Sequence, residues 1–252
     1  MFIIVGTKLN IIDVLFVNET LNIHAYICLK FYILKKYVAE FLGTFTLVFC
    51  GTGAMIVNEL TGELTHPGVA SVWGLVVMAL IYAFGDISGA HFNPAVTIAF
   101  AYAKKFKWIE VPKYIFIQCL GAIAASALLL FLFPKSETLG ATLPSIIPYK
   151  AFIIELLLTF FLMMVIINVS TGAKEIGIIA GIAIGGVILL EAMFAGPITK
   201  ASMNPARSLG PALVSGHLEH LWLYLTAPIA GALLAVVSCK LVKDENCCDV
   251  KC

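Results

Sequence analysis

Six apolar stretches dominate this chain, and each is long enough to cross a lipid bilayer. They lie at about residues 37 to 57, 69 to 85, 111 to 133, 149 to 169, 177 to 195 and 218 to 241. A helix rises about 1.5 Å per residue, so about 20 residues cross the ~30 Å hydrocarbon core. The sequence therefore predicts an all-α membrane protein with six transmembrane helices and almost no soluble domain.

Composition excludes several classes of function. The chain is 61% hydrophobic and 12% charged, carries a net charge of +1, and has a single arginine, Arg207. No basic cluster is available for nucleic acid. No Ser-His-Asp set, metal-ligand spacing or phosphate loop is recognisable either. We therefore expect no enzyme activity, no catalytic residue, no bound metal and no cofactor, with the lipid bilayer as the surroundings of the protein.

Basic residues are distributed unevenly between the connections of the six helices. One set of flanks is rich in lysine: Lys35, Lys36, Lys104, Lys105, Lys107, Lys113, Lys174, Lys240 and Lys243. The opposite set holds Glu59 and Glu63 and fewer bases: Lys135, Lys150 and Lys200. The positive-inside rule then places both termini in the cytoplasm of a protein of the plasma or inner membrane.

Both ends of the chain lie outside the six predicted transmembrane helices. Residues 1–34 are apolar but interrupted by charges, and are typical either of an interfacial or disordered extension or of translation from an upstream start codon. Residues 243–252 form a tail with Cys247, Cys248 and Cys252. That tail is interpreted as solvated and reduced, with acylation or soft-metal capture as alternatives.

An internal repeat organises the six helices. YVAEFLGTFTLVF at 37–49 matches FIIELLLTFFLMM at 152–164, which aligns Glu40 with Glu155. Each copy continues to an Asn-Pro-Ala segment, formed by Asn93, Pro94 and Ala95 in the first and by Asn204, Pro205 and Ala206 in the second. Three helices per copy is an odd number, so the second copy enters the membrane from the opposite side, as in inverted-repeat channels and transporters.

The two Asn-Pro-Ala segments predict helix starts. Asn is a good N-cap and Pro is favoured at the first helical position. Residues 94–104 and 205–215 then form re-entrant helices that reach about half-way through the bilayer. Their N-terminal ends meet near the midplane, where each carries about half a positive charge. This arrangement disfavours protons and cations, while the Asn amides donate hydrogen bonds to a permeating water or hydroxyl.

At these residues the chain resembles the aquaporin, or major intrinsic protein, family. The resemblance rests on SGAHFNPAVT at 88–97, GPITKASMNPARSLGPA at 196–212 and the paired glutamates, and it covers residues 36–242. It implies the aquaporin fold: six transmembrane helices plus two re-entrant half-helices in an inverted 3+3 repeat, with repeat one at 37–133 and repeat two at 149–241. It also implies a homotetramer with one pore per subunit, and Gly and Ala in the third and sixth helices allow close helix contact.

The resemblance also points to a selectivity filter. Its four positions fall here on Trp73, Ala192, Ala201 and Arg207. Water-selective relatives carry a His where this chain has Ala192, so a wider opening is expected, with an apolar wall opposite Arg207. A polyol packs its carbon face on Trp73 and offers its hydroxyls to Arg207. The set is similar to that of the nodulin-like intrinsic subfamily, whose members pass glycerol and, in some cases, uncharged metalloid acids.

Several further residues support this interpretation. Ser208 and Ala212 resemble the water-channel pattern, whereas Tyr224 and Leu225 resemble the glycerol-channel pattern, with simple helix packing an equal alternative for Tyr224. The resemblance gives the two repeat-related glutamates a scaffolding role as acceptors for backbone N–H groups, with a proton relay as the alternative.

Three other polar residues lie close to these motifs. We expect Glu191 to satisfy backbone groups of the neighbouring loop, and Asp86 and His91 to cap the first half-helix rather than to gate it by pH.

The function expected from these residues is a passive channel for water and small uncharged solutes: glycerol, and also urea or neutral metalloid acids. A strict water channel is the first alternative. A proton-coupled transporter that uses the buried glutamates is a remote one.

Overall fold

The computed structural model describes the backbone of residues 11–170 and 179–242, and the side chains of residues 34–170 and 179–241. The predicted cysteine tail and Lys174 lie outside this part. The chain divides into two compact units, Met1–Lys36 and Tyr37–Cys252. Of the first unit, the described backbone is helical from Ile11 onward.

All regular structure in the described residues is helical. The helices are α1 (Ile11–Thr61), α2 (Thr65–Ser88), α3 (Pro94–Tyr102), α4 (Val111–Leu132), α5 (Pro148–Ser170), α6 (Ala180–Thr199), α7 (Pro205–Ser215) and α8 (Leu221–Val242), with a 3₁₀ turn at Trp108–Glu110 before α4. Within the part of the chain that the structure describes, six helical segments are long and apolar enough to cross a membrane: Leu34–Thr61, Thr65–Ser88, Trp108–Leu132, Pro148–Ser170, Ala180–Thr199 and Leu221–Leu241. The predicted fold class is confirmed.

The two short helices begin at the predicted prolines. α7 ends at Ser215 as expected, whereas α3 ends at Tyr102, two residues earlier than predicted. Their 9 and 11 residues correspond to about 14 Å and 16 Å. Neither is long enough to cross a bilayer alone.

The two repeats interlock rather than stand side by side. The short helix of each repeat packs against the last helix of the other: α3 against α8, and α7 against α4. The second helices of the two repeats, α2 and α6, pack against each other. Each repeat therefore supplies packing contacts to the short helix of the other repeat.

Repeat-related glycines allow two of the close crossings. A Cβ atom added at Gly121 in α4 would lie 2.6 Å from the carbonyl oxygen of Phe41 in α1. In the second repeat, a Cβ atom at Gly231 in α8 would lie 2.1 Å from the carbonyl oxygen of Leu156 in α5. Both glycines thus serve contacts within the chain, since only a residue without a side chain fits at these crossings.

Candidate functional site

Asn93 and Asn204 form the N-caps of the two short helices. The Oδ1 atom of Asn93 accepts a hydrogen bond from the N–H of Ala95 at 2.9 Å. The Oδ1 atom of Asn204 accepts from the N–H groups of Ala206 at 3.0 Å and Arg207 at 3.3 Å. Because each Oδ1 is used in capping, each amide nitrogen is turned away from its own helix.

The amide nitrogen of each asparagine donates a hydrogen bond to the other repeat. Asn93 Nδ2 donates to the carbonyl oxygen of Met203 at 2.8 Å, and Asn204 Nδ2 donates to the carbonyl oxygen of Phe92 at 2.9 Å. A carboxamide nitrogen carries two hydrogens, so one N–H of each Asn is engaged here and one is left for the lumen. The sequence interpretation anticipated the lumenal donor but not this reciprocal pair.

Glu40 holds the loop before α3. Its Oε1 accepts from the hydroxyl of Ser88 at 2.7 Å and the N–H of His91 at 2.9 Å, and its Oε2 accepts from the N–H of Phe92 and from Gln118 Nε2, both at 2.8 Å. The side chain is completely buried. Four donors compensate the desolvation of this carboxylate.

Glu155 does the same for the loop before α7. Its Oε1 accepts from the hydroxyl of Thr199 at 2.6 Å and from the N–H of Ser202 at 2.9 Å. Its Oε2 accepts from the N–H of Met203 at 2.9 Å. Met203 is thus held on both sides, through its N–H by Glu155 and through its carbonyl oxygen by Asn93.

A cavity of about 150 Å³ runs past the two asparagines. We call it the junction cavity. It is lined by both Asn side chains, by apolar residues of α2, α5 and α6, and by all four predicted filter residues, Trp73, Ala192, Ala201 and Arg207. The structure therefore brings together residues that are up to 134 positions apart in the sequence.

A second cavity of about 580 Å³ lies beyond the filter, at the end of the bundle where α1 ends and α2 begins. We call it the vestibule. Its lining includes Met55, Glu59, His66, Gly140 and Lys200. The two cavities share only Trp73 and Ala192 among the described residues. These two residues thus mark a neck between a wide vestibule and a narrow lumen.

Arg207 lies at this neck and is 1% exposed. Its guanidinium carbon stands 4.7 Å from the centroid of the Trp73 ring. Nη1 donates to the carbonyl oxygen of Gly140 at 3.0 Å, and Nη2 donates to the Sδ atom of Met55 at 3.0 Å. The guanidinium is thus held by a cation–π contact, a loop carbonyl and a thioether. Sequence patterns gave no signal for either hydrogen-bond partner.

The expectation for Glu191 is wrong. Glu191 is 2% exposed, and neither carboxylate oxygen has a hydrogen-bond partner among the described residues. In the neighbouring loop, the N–H groups of Ser202 and Met203 donate to Glu155. Position next to Ala192 in the sequence did not bring Glu191 to the loop, because neighbouring residues on a helix point in different directions.

The expected capping role of Asp86 and His91 is also wrong. Asp86 is exposed in the last turn of α2, and α3 is capped by Asn93 alone. His91 is buried, lines the junction cavity, and pairs through Nδ1 with the hydroxyl of Thr97 at 3.1 Å. His91 therefore contacts a side chain of α3 and does not cap a backbone N–H group at the start of that helix.

The remaining predicted residues lie away from the lumen. Ser208 is buried, with its hydroxyl 2.5 Å from that of Ser202, and Ala212 is buried in α7. Tyr224 is fully buried and donates from its hydroxyl to the carbonyl oxygen of Thr199 at 2.7 Å, while Leu225 is half-buried beside it. Tyr224 thus ties α8 to the end of α6, as a packing residue does.

Comparison with known proteins agrees with this geometry. Residues 28–238 match the family described as major intrinsic protein. The chain is 46% identical over 215 residues to aquaporin NIP1-1 of Oryza sativa subsp. japonica, covering 84% of this chain and 76% of that protein. It is 50% identical over 202 residues to nodulin-26 of Glycine max, covering 79% and 74%.

A solved structure shows the same fold. The aquaglyceroporin from Plasmodium falciparum superposes with a TM-score of 0.70 at 29% sequence identity, covering 84% of this chain and 98% of the other. Six apolar spans, two half-helices capped by asparagine and these matches lead to one conclusion. The chain belongs to the major intrinsic protein family, the family of the aquaporins.

Proposed function

We propose that this protein is a passive channel for water and small polyols, with glycerol as the test solute, and that it excludes protons and ions. The channel itself follows from the family. The range of solutes follows from one observation, the composition of the neck, where an aromatic ring and a guanidinium face small apolar side chains.

The neck suits a molecule with both carbon and hydroxyl faces. Ala192 and Ala201 leave space where larger side chains would narrow the opening, and both are buried against the lumen. The Trp73 indole supplies an apolar surface, and Arg207 supplies N–H donors. A glycerol molecule satisfies both kinds of surface in one orientation, because its carbon atoms lie on one side and its oxygens on the other.

Exclusion of ions rests on fixed positive charge at two levels. Arg207 carries a full charge at the neck. Below it, α3 and α7 present their N-terminal ends at Asn93 and Asn204, each equivalent to about half a positive charge. The lumenal N–H of each asparagine donates to a passing oxygen, so a water or hydroxyl is accepted while a hydrated cation is repelled.

A proton-coupled transporter would need an acid in the lumen. Among the described residues, Glu40, Glu155 and Glu191 line neither the junction cavity nor the vestibule. Glu40 and Glu155 are moreover held by hydrogen bonds to the two loops, which suits a scaffold. This observation supports passive conduction.

Stopped-flow light scattering on proteoliposomes tests the proposal. We expect water and glycerol to permeate, with flux proportional to the solute gradient and independent of any proton or sodium gradient. Water flux without glycerol flux would reduce the protein to a strict water channel. Flux that requires an ion gradient would contradict passive conduction altogether.

The orientation and location of the channel are part of the proposal. We infer that residues 36–242 form the channel domain in the plasma or inner membrane, with the vestibule outside and both termini in the cytoplasm. The lysines at the start of α4 and near the start of the first span support this assignment. Protease protection of a tag placed after Cys252, in sealed spheroplasts, tests this assignment. Digestion of the tag by protease added outside would contradict the proposed orientation.

We also propose that four copies form the working assembly, with one pore in each. The support is the homotetramer that the family resemblance implies; exposed apolar side chains such as Phe131, which is 80% exposed, suit contact with lipid as well as with a neighbouring subunit. Gly121 and Gly231 do not contribute to this argument because they are used inside the chain. Native mass spectrometry in detergent should show a tetramer, and a monomer that conducts fully would contradict the proposal.

A further inference from the structure

The thioether of Met55 is the partner of an Arg207 donor. Nη2 of Arg207 donates to Sδ of Met55 at 3.0 Å, whereas Nη1 donates to a backbone carbonyl, that of Gly140, at the same distance. A thioether sulfur is a weak acceptor. Of the two terminal nitrogens of the guanidinium group, Nη1 therefore has a strong acceptor and Nη2 has a weak one.

Met55 is also open to small reagents. It is half-buried near the end of α1 and lines the vestibule of about 580 Å³. The other methionines that the structure describes are placed differently. Met163 is completely buried, Met203 lines the junction cavity below the neck, and Met193 is exposed but lines neither cavity. Met78 and Met164 are half-buried and line neither cavity. Of the described methionines, Met55 alone faces the vestibule.

We propose that Met55 is an oxidation site for small neutral hydroperoxides, and that its sulfoxide reduces solute flux through the filter. The inference about flux rests on the proposed function, while the inference about the modification site does not. The oxidant is hydrogen peroxide or another small hydroperoxide, a molecule of the size and polarity that the vestibule admits.

The chemistry is a two-electron oxygen transfer. A sulfur lone pair of Met55 attacks one peroxide oxygen, the S–O bond forms and the O–O bond breaks. The proton of the transferred hydroxyl passes to the departing hydroxide, which leaves as water. Sulfur is oxidised to the sulfoxide and the peroxide is reduced, so no further electron donor or acceptor is needed.

The product changes the partner of Arg207. A sulfoxide oxygen is a much stronger acceptor than a thioether sulfur, and it extends from the position that Nη2 already contacts. Nη2 is then engaged firmly, and a passing hydroxyl must compete with a permanent acceptor. Because Sδ lies 3.0 Å from Nη2, the added oxygen also lies beside the guanidinium that borders the lumen.

Reconstituted protein treated with hydrogen peroxide, and then freed of it, tests the proposal. Peptide mass spectrometry should find one added oxygen at Met55, and the glycerol flux should fall to a minor fraction of its untreated value. Methionine sulfoxide reductases should restore the flux. Each variant is compared with its own untreated sample, so that any effect of the substitution itself is removed.

Two variants separate Met55 from other targets. Met55→Leu keeps the apolar volume and has no sulfur, so peroxide should leave its flux unchanged. Met193→Leu removes an exposed methionine outside both cavities and should lose flux as the wild type does. An equal loss in Met55→Leu would overturn the proposal and assign the inhibition to another side chain. Oxidation of Met193 without oxidation of Met55 would overturn it as well.

The same samples distinguish failure of this inference from failure of the proposed function. Untreated wild-type protein reports whether glycerol permeates at all. If it conducts water only, the proposed solute range is wrong, and peroxide inhibition is then scored on water flux. Sulfoxide at Met55 with unchanged flux of every permeant would overturn the inferred effect on the filter.

Discussion

Arg207 stacks its guanidinium on the indole ring of Trp73, with 4.7 Å between the guanidinium carbon and the ring centroid. The charge is thereby fixed at the neck between vestibule and lumen, where Trp73 and Ala192 border both cavities. Under the proposed function, selection by size and selection by charge would thus depend on neighbouring side chains.

Removal of the arginine should open the pore to cations. A unit charge at about 4 Å and an effective dielectric near 20 repels a monovalent cation by about 4 kcal/mol, or up to about a thousandfold in rate. We expect Arg207→Ala to raise proton or sodium leak in a liposome fluorescence assay. Arg207→Lys keeps the charge and is the control. Equal leak in both variants would assign the effect to the lost Gly140 contact instead.

Substitution of the small filter residue should change the solute range. Ala192→His places an imidazole in the neck, so glycerol permeability should fall at least about tenfold while water flux persists. Ala192→Ser adds little volume and should retain glycerol flux. The ratio of glycerol to water permeability, measured by stopped flow, checks both variants. An unchanged ratio in the histidine variant would place the constriction elsewhere.

The two buried glutamates of the second repeat should differ in their effect on stability. Glu155 accepts three hydrogen bonds, from Thr199, Ser202 and Met203, so Glu155→Leu leaves three buried donors without a partner. We expect a loss of at least about 3 kcal/mol in the free energy of unfolding. Thermal unfolding in detergent, followed by circular dichroism, should show the decrease.

Glu191→Leu is the matched comparison on the neighbouring helix. Both oxygens of Glu191 are buried without a partner among the described residues, so replacing the acid removes a desolvation penalty and breaks no hydrogen bond with them. The variant should be as stable as the wild type or more stable by about 1–3 kcal/mol. A destabilised Glu191→Leu variant would mean that the acid has a partner in the folded protein.

Adjacent glycines in α6 offer a sharp test of the helix crossing. A Cβ atom at Gly185 would lie 2.6 Å from the carbonyl oxygen of Gly74 in α2, whereas one at Gly186 would meet no atom of the described part of the chain within 4 Å. Gly185→Ala should therefore destabilise the protein by about 1–3 kcal/mol. Gly186→Ala should be neutral, or stabilising by up to about 1 kcal/mol. The unfolding temperature should fall in Gly185→Ala and stay unchanged or rise in Gly186→Ala.

Local chemistry made much of the architecture predictable. The helix starts at Pro94 and Pro205 follow from the preference of Asn and Pro for the first positions of a helix. The six spans follow from length and hydrophobicity, because a bilayer demands both. The family and fold class were accordingly predicted correctly.

Contacts between distant segments were not predictable in the same way. Gly140 and Met55 hold Arg207, yet neither belongs to a motif, and which carbonyl or sulfur reaches a guanidinium depends on the path of the loop at 133–147. Glu191 was assigned to a loop from its position next to Ala192 in the sequence. Its carboxylate is instead buried without a hydrogen-bond partner among the described residues, because successive residues on a helix point in different directions.

The crossed hydrogen bonds of the two asparagines have a consequence for biosynthesis. Each amide depends on a carbonyl in the other repeat, Asn93 on Met203 and Asn204 on Phe92. A chain that has emerged only as far as α4 therefore has no closed lumen, and its Asn93 N–H lacks this acceptor. The junction is thus complete only when both repeats are present, and a product that ends after α4 lacks half of the groups that form it.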